Sequence, residues 1–177
     1  MINTKETKRE FLSILLNKNL KKILDLGCGK GLMSKFFVGE EAKITGIDLK
    51  KTSEDLENFN FIEGDVRKED FGKDNDLIIA SLILHFFEKQ EAKQLIERMK
   101  TATSDKGYNL LICMSDKDEL SKKKSEKFYP DIKELKKIYE NWGLIKETEG
   151  FTETEDHDNL GSHQHNLIFL LVQKNTE

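Results

Sequence analysis

The sequence predicts an α/β fold in which helices cover both faces of a parallel sheet. Short apolar runs alternate along the chain with segments in which apolar residues recur at helical spacing. The run Leu77–Ala80 is continuously apolar, which is typical of a central strand buried on both faces. A chain of 177 residues is long enough for a three-layer core, so we expect one domain over residues 1–177.

The composition limits the cellular locations and the binding partners that we expect for this protein. Charged residues make up 35% of the chain, no apolar run reaches membrane-spanning length, and the N-terminal segment lacks a signal-peptide core. We therefore expect a cytoplasmic protein with no membrane partner. A net charge of -4 argues against a broad nucleic-acid surface, so the expected substrate is a small molecule. Cys28 and Cys113 lie far apart in sequence, which favours two buried residues over a disulfide.

Helix and strand signals alternate through the first half of the chain. Asn3 and Glu6 have the spacing of a capping box before an amphipathic stretch, which predicts a helix over 4–17. Apolar runs predict strands at 22–26, 43–49, 59–62 and 76–81. Helical spacing predicts helices at 32–38, 52–58 and, after a turn at 82–87, at 88–103.

The second half adds a fifth strand at 107–114 and a helix that Pro130 opens and Gly143 ends. Between them, 115–129 is rich in lysine, serine and acids, which indicates a solvated loop. Because this loop follows the carboxyl end of a strand, it is also a candidate lid. Two β-like runs and the long polar loop between them close the chain, at 144–152, 167–173 and 153–166.

A glycine-rich turn directly after the first strand indicates a ligand site, Asp25-Leu26-Gly27-Cys28-Gly29-Lys30-Gly31. Glycine permits positive φ in an abrupt turn, and without a Cβ the backbone can lie against a bound cofactor. Dinucleotide-binding turns have the spacing G-x-G-x-x-G, whose third glycine would fall at Leu32. Here the third glycine comes one residue earlier, which favours a different nucleotide cofactor.

Asp48 ends the second predicted strand, one β-α-β unit after the glycine turn. Parallel strands present their carboxyl ends at one edge of the sheet, and a carboxylate there can accept hydrogen bonds from both hydroxyls of a ribose. The alternative interpretation is an aspartate that only begins a turn.

The turn Asp25–Gly31 resembles the first motif of the class I S-adenosylmethionine-dependent methyltransferases. The resemblance implies a Rossmann-like three-layer α/β/α sandwich with a mostly parallel seven-stranded sheet and an antiparallel last strand. It also implies S-adenosylmethionine as cofactor, S-adenosylhomocysteine as product, and an adenine contact from the segment Gly64-Asp65-Val66. The expected cofactor-binding residues are Asp25, Gly27, Cys28, Gly29, Gly31, Asp48, Leu49, Asp65, Val66 and Ser81.

Within that class, the segments 81–88, 107–112 and 139–142 are similar to the tellurite-resistance methyltransferases of the TehB type. This resemblance implies a small-molecule acceptor, with a metalloid oxyanion as one class, held by histidine and arginine near the last strands. The histidines are present, but the arginines of this chain are Arg9, Arg67 and Arg98. The Asp/Asn-Pro-Pro-aromatic motif of amino-directed nucleic-acid methyltransferases is absent after the fourth strand, so we expect no nucleic-acid partner.

The four histidines are the candidate catalytic or metal-binding groups. His85 follows the fourth strand and can act as a general base, or it can be a helix-start residue bonded to backbone. His163 and His165 share a face if they enter the last strand, and they could converge with His157 on a metal ion or an anion. We therefore predict His85, His163 and His165 as catalytic residues and His157, His163 and His165 as metal ligands; the alternative is a set of surface histidines in a polar loop.

The leading interpretation is a methyltransferase that acts on a small molecule as a monomer or homodimer. Two alternatives remain open, a nicotinamide-dependent oxidoreductase and a noncatalytic cofactor-binding module. Leu32 at the position of the third glycine counts against the first. A cofactor cavity with no acceptor site beside it would favour the second.

Overall fold

A seven-stranded sheet forms the centre of the structure, a computed structural model that describes residues 1–39, 41–52, 57–156 and 162–176. The strands are β1 (Lys22–Leu26), β2 (Lys43–Asp48), β3 (Phe59–Glu63), β4 (Asn75–Ser81), β5 (Thr103–Met114), β6 (Trp142–Phe151), β7 (Glu155–Asp156), β8 (Ser162–His163) and β9 (Asn166–Lys174). β7 and β8 form a separate small hairpin.

The strand order β3-β2-β1-β4-β5-β9-β6 confirms the predicted α/β sheet. The first five strands pair in parallel, and β9 runs antiparallel to both of its neighbours, β5 and β6. The predicted antiparallel last strand is therefore present, one position in from the edge. Because β1, β2 and β4 are parallel neighbours, the loops that follow them emerge at the same edge of the sheet.

The helices are α1 (Thr4–Leu16), α2 (Lys89–Ala102), α3 (Glu119–Lys123) and α4 (Ile132–Ile138), with 3₁₀ turns at Ser34–Phe37 and Leu84–Phe86. The Asn3 side chain caps α1 by accepting the Glu6 amide hydrogen, and Glu88 and Glu91 form a reciprocal capping box on α2. Among the described residues, no helix combines the length and apolar character needed to cross a membrane.

The two faces of the sheet bury separate apolar clusters, which produces the three layers. Along the central strands alternate residues point to opposite faces, so Leu77 and Ile79 join one cluster while Ile78 and Ala80 join the other. The first cluster takes in Phe11, Leu12 and Leu15 of α1, and the second takes in Leu95, Ile96 and Met99 of α2.

Two predicted helices differ in the structure. The expected helix over 32–38 is only a 3₁₀ turn, because the chain leaves the glycine turn through tight bends and Ser34 bonds to Asp25. The expected helix from Pro130 to Gly143 begins after its cap, Asp131, and ends at Ile138. Gly143 instead lies in β6, whose backbone pairs with β9 from Trp142 onwards.

The two loops that were expected to be irregular contain structure. The segment 115–129 forms α3 and buries Phe128, so it is not simply a solvated loop. The segment 153–166 contains the β7–β8 hairpin. Most of the helix predicted at 52–58 lies outside the described residues.

Gly46 in β2 supports the glycine turn, and its substitution tests that contact. A Cβ at this position would lie 2.7 Å from Cys28 Sγ and 2.5 Å from Phe59 Cζ. We expect Gly46→Ala to lower the free energy of unfolding by about 1–3 kcal/mol in urea denaturation, because overpacking displaces both neighbours. Gly143→Ala is the matched control, since its Cβ meets nothing closer than 3.7 Å. Equal stability of the two variants would contradict this account.

Candidate active site

The predicted cofactor residues meet at a cavity of about 410 Å³ at the carboxyl ends of β1, β2 and β4. Five of them line its wall: Gly27, Asp48, Leu49, Asp65 and Val66. The remaining lining residues come from the loops after β3 and β4 and are Gly64, Arg67, Leu82, Ile83, Phe86 and Phe87. A wider groove at the amino ends of β4 and β5 carries none of the predicted site residues.

The glycine turn is fixed to the end of β2 by backbone hydrogen bonds. The Gly27 amide donates to the Ile47 carbonyl at 2.8 Å, and the Gly29 amide donates to Asp48 Oδ2 at 2.8 Å. Gly27 and Gly29 have φ values of 65° and 49°, which favour glycine. A Cβ on Gly29 would meet no atom within 4 Å, so the backbone there faces open space. The turn therefore presents bare backbone beside the Asp48 carboxylate.

Asp25 lies behind the turn rather than in the cavity wall. Its side chain is 1% exposed, and Oδ2 accepts a hydrogen bond from Ser34 Oγ at 2.6 Å. Burial raises the pKa of Asp25 from its ordinary 3.8 to about 7, with the charge of Asp48 adding to the effect. Asp25 thus stabilises the turn through its hydrogen bond with Ser34 and does not line the cavity.

Cys28 and Ser81 are also placed away from the cavity wall. Cys28 is a buried free thiol, as the sequence indicated, and burial raises its pKa to about 12, which keeps it protonated at pH 7. Among the described residues, the cavity wall includes neither of these two nor Gly29 and Gly31. Next to Ser81, Leu82 has φ of 54°, an uncommon conformation for leucine that begins the cavity-lining loop after β4.

Arg67 forms an ion pair with Asp65, the residue that the sequence analysis expects to contact adenine. Its Nη2 lies 2.7 Å from Asp65 Oδ2, and its Nε lies 3.0 Å from both Asp65 oxygens. These bonds hold the pKa of Asp65 low, at about 2. Arg67 also lies over the Phe87 ring, 5.9 Å from its centroid, and pairs with Glu91. The wall at this end of the cavity therefore carries a balanced ion pair.

His85 lies in the 3₁₀ turn beside Phe86 and Phe87 of the cavity wall. Its ring is 6.3 Å from the Tyr129 ring, centroid to centroid. Burial lowers the pKa of His85 to about 4, so this imidazole is neutral at pH 7. Within the described part of the chain, neither the buried His85 Nδ1 nor the buried Tyr129 hydroxyl has a hydrogen-bond partner.

His163 and His165 contact each other, although neither enters the last strand: His163 ends β8 and β9 begins at Asn166. Their ring centroids are 4.9 Å apart. His165 also contacts an acid that the sequence did not indicate. His165 Nδ1 lies 2.9 Å from Asp118 Oδ2, and Asp118 is buried. His157 lies outside the described residues, and no group of three potential metal ligands occurs within them. The predicted three-histidine metal site therefore remains a prediction.

Sequence reasoning missed three residues: Arg67, which lines the cavity, and Asp118 and Tyr129, which lie next to the predicted histidines His165 and His85. Asp118 precedes Glu119 and Leu120 with the spacing of a helix cap, but the surrounding charges favoured a loop. That local signal could have identified α3, whereas nothing local links Asp118 to His165.

The raised pKa of Asp25 predicts a pH-dependent stability. An acid whose pKa is higher in the folded chain loses folded-state stability as pH rises, here between about 4 and about 7. Asp25→Asn keeps an acceptor for Ser34 but removes this titration, so its stability relative to the parent chain should rise across that window. At about 1.4 kcal/mol per pKa unit, the gain should reach a few kcal/mol.

Urea unfolding from pH 4 to pH 8 measures the difference. Asp105→Asn, at an exposed position, is the control and should follow the parent pH profile. Parallel curves for Asp25→Asn and the parent chain would contradict the assignment.

Comparison with known proteins agrees with this geometry. The family model described as "Tellurite resistance protein TehB" matches residues 2–170. A protein of Haemophilus influenzae named "Probable S-adenosyl-L-methionine-dependent methyltransferase TehB" is 25% identical over 150 residues, covering 80% of this chain and 52% of that protein. The chain thus spans about half the length of the curated relatives that it matches.

Solved structures share the fold. The crystal structure of TehB from Haemophilus influenzae has a TM-score of 0.78 at 23% identity, covering 96% of this chain and 62% of that one. The N-methyltransferase NodS from Bradyrhizobium japonicum, in complex with S-adenosylhomocysteine, has a TM-score of 0.74 at 12% identity, covering 98% and 89%. These likenesses confirm the predicted Rossmann-like sandwich. Because the family model covers nearly the whole chain, this protein belongs to the TehB family.

Proposed function

We propose that this chain transfers the methyl group of S-adenosylmethionine to a small-molecule acceptor in the cytoplasm. One observation carries the proposal: the glycine turn, Asp48 and Asp65 line or border one cavity at the carboxyl edge of the sheet. Nucleotide cofactors bind at this edge in open α/β sheets. The names of the family and its relatives support the same cofactor and reaction class.

The residues present fit the cofactor. Asp48 accepts the Gly29 amide hydrogen at Oδ2 and the Lys50 amide hydrogen at Oδ1, and each oxygen keeps a further lone pair for the ribose hydroxyls. Leu49 is 67% exposed and Val66 is buried, so the two offer apolar surface on which adenine can lie. The bare backbone of the glycine turn is free of the Cβ atoms that would obstruct a cofactor.

When bound, the cofactor supplies an activated methyl carbon on a sulfonium leaving group. The chain then has to align an acceptor with that carbon and exclude water. His85 lies in the loop after β4 that forms one side of the cavity, and its ring centroid is 6.3 Å from that of Tyr129. We assign the acceptor site to this side and include His165 in it. His163 contacts His165 and belongs to the same group. A metalloid oxyanion, which the family description suggests, is one acceptor class to test.

Loss of the Asp48 carboxylate tests cofactor binding. We expect calorimetric titration to show that the parent chain binds S-adenosylmethionine and S-adenosylhomocysteine, and that Asp48→Ala binds both at least about 10-fold more weakly, because hydrogen bonds to a charged group contribute about 1.5–3 kcal/mol. Asp105→Ala, at the opposite edge of the sheet, should bind like the parent chain. A parallel titration with NADH tests the alternative function. Binding of NADH without binding of the two sulfur nucleotides would indicate an oxidoreductase instead.

The Arg67–Asp65 pair predicts a specific effect on adenine recognition. Arg67 competes with the adenine amino group for the Asp65 carboxylate, so Arg67→Ala should strengthen that contact. We expect the preference for S-adenosylhomocysteine over S-inosylhomocysteine, which lacks the amino group, to rise several-fold, up to about 10-fold for one hydrogen bond to a charged acceptor. Calorimetry with the two nucleotides measures the ratio. An unchanged ratio would show that Asp65 does not bind adenine.

A further inference from the structure

Two pairs of polar side chains, His85 with Tyr129 and Asp118 with His165, make up what we call the acceptor cluster. His85 adjoins Phe86 and Phe87 of the cavity wall. The chain segment that carries Tyr129 is bound to the cavity wall, because the Phe128 amide donates to the Phe87 carbonyl at 3.0 Å. The Asp118 carboxylate acts electrostatically on both His85 and Tyr129, and it bonds directly to His165. Asp118 is therefore the centre of the cluster.

Asp118 is held in one orientation by three donors. Oδ1 accepts the Leu120 amide hydrogen at 2.9 Å, and Oδ2 accepts the Asn166 amide hydrogen at 3.0 Å. Oδ2 also lies 2.9 Å from His165 Nδ1. An ionised carboxylate only accepts hydrogen bonds, so Nδ1 of His165 must carry the hydrogen. In the neutral ring, the lone pair then lies on Nε2, and His165 can take a proton there.

The charges around the cluster discriminate between acceptor classes. Asp118 places a buried negative charge in it, and His85 is neutral at pH 7. Within the described residues, burial lowers the pKa of His85 most, and positive charge on Lys124 and on a protonated His165 lowers it further. The three arginines of the chain do not offset the buried charge, since Arg9 is exposed on α1, Arg67 pairs with Asp65 and Glu91, and Arg98 donates to backbone carbonyls. An oxyanion would be repelled by the Asp118 carboxylate, whereas a neutral acceptor would not.

We propose that His165 is the general base for a neutral acceptor that bears an O–H, S–H or N–H group, and that Asp118 is its positioning residue. The inference rests on the proposed methyl transfer. As the acceptor heteroatom forms a bond to the methyl carbon, its hydrogen passes to His165 Nε2. The electron pair of the broken carbon–sulfur bond stays on sulfur, which becomes a neutral thioether. The Asp118 carboxylate balances the positive charge of the protonated ring, which later releases its proton to solvent.

Nuclear magnetic resonance of the histidine rings tests the geometry without turnover. In the full chain labelled with ¹⁵N-histidine, long-range ¹H–¹⁵N correlations at pH 8 distinguish the two neutral tautomers and the charged ring. We expect one ring with hydrogen on Nδ1, whose signals vanish in His165→Asn and change in Asp118→Asn. Asp131→Asn is the matched control, because both aspartates cap helices and asparagine caps equally well.

Two spectroscopic outcomes overturn the proposal. A His165 ring with its hydrogen on Nε2, or a ring that is fully protonated at pH 8, cannot accept a proton at Nε2. A His165 tautomer unaffected by Asp118→Asn would remove the positioning role.

Methyl transfer to defined probes tests the acceptor class, with 2-mercaptoethanol, catechol and imidazole as neutral acceptors and tellurite and selenite as oxyanions. We expect release of S-adenosylhomocysteine with at least one neutral probe, and a kcat that falls about 100-fold or more in His165→Asn, the usual range for loss of a general base. Asp118→Asn should lower kcat in the same direction while Asp131→Asn does not. With 2-mercaptoethanol, the loss of kcat in His165→Asn should become smaller as pH rises, because an ionised thiol needs no general base. A purely structural role of His165 would not produce this pH dependence.

The outcomes separate this inference from the function on which it rests. If the parent chain does not bind S-adenosylhomocysteine in calorimetry, the proposed methyltransferase function fails. If it binds the nucleotide but prefers tellurite or selenite, or transfers to none of the five probes, the acceptor class proposed here is wrong. Equal activity of Asp118→Asn and Asp131→Asn would likewise overturn the role of Asp118.

Discussion

The hydrogen bond from the Gly29 amide to Asp48 Oδ2 is the constraint on which the cavity depends. It joins the turn after β1 to the end of β2 at 2.8 Å. The bond is possible because the two strands pair in parallel up to Leu26 and Ile47, so both chains leave the sheet side by side. Asp25 and Gly46 support the turn from below, the first through Ser34 and the second by leaving room for Cys28.

The proposed acceptor cluster depends on a different strand pairing. β5 and β9 run antiparallel, and their register ends with Met114 opposite Leu167. The residues just beyond that pair are held together as Ser115 Oγ donates to Asn166 Oδ1 at 2.6 Å. The turn into α3 then brings Asp118 to His165, 47 positions away in sequence. The parallel pairing thus positions the glycine turn, and the antiparallel pairing positions Asp118 and His165 of the proposed acceptor cluster.

The parts of this structure that sequence predicts well are those set by neighbouring residues. The glycine turn, the strand that precedes it and the capped start of α1 depend on local backbone chemistry, and all appear where the pattern places them. Helix ends were harder to predict because tertiary contacts decide them. Tyr139 ends α4 where its hydroxyl meets Asn109 and its ring meets Trp142, both long-range or turn contacts that periodicity does not reveal. The Asp118–His165 pair could not be predicted either, because it is also a long-range contact.

Asp25 and Asp118 are both buried, but they differ in the hydrogen-bond donors that stabilise their charge. Asp25 has two donors, the hydroxyl and the backbone amide of Ser34, yet burial raises its pKa to about 7, so near neutral pH its charge is poorly stabilised. Asp118 has three nitrogen donors, two from backbone and one from His165. A carboxylate that accepts several N–H bonds keeps its charge at lower cost than one that is merely enclosed. The acid with the stabilised charge is the one in contact with an imidazole, and the buried charge of Asp118 therefore has a partner on which it can act.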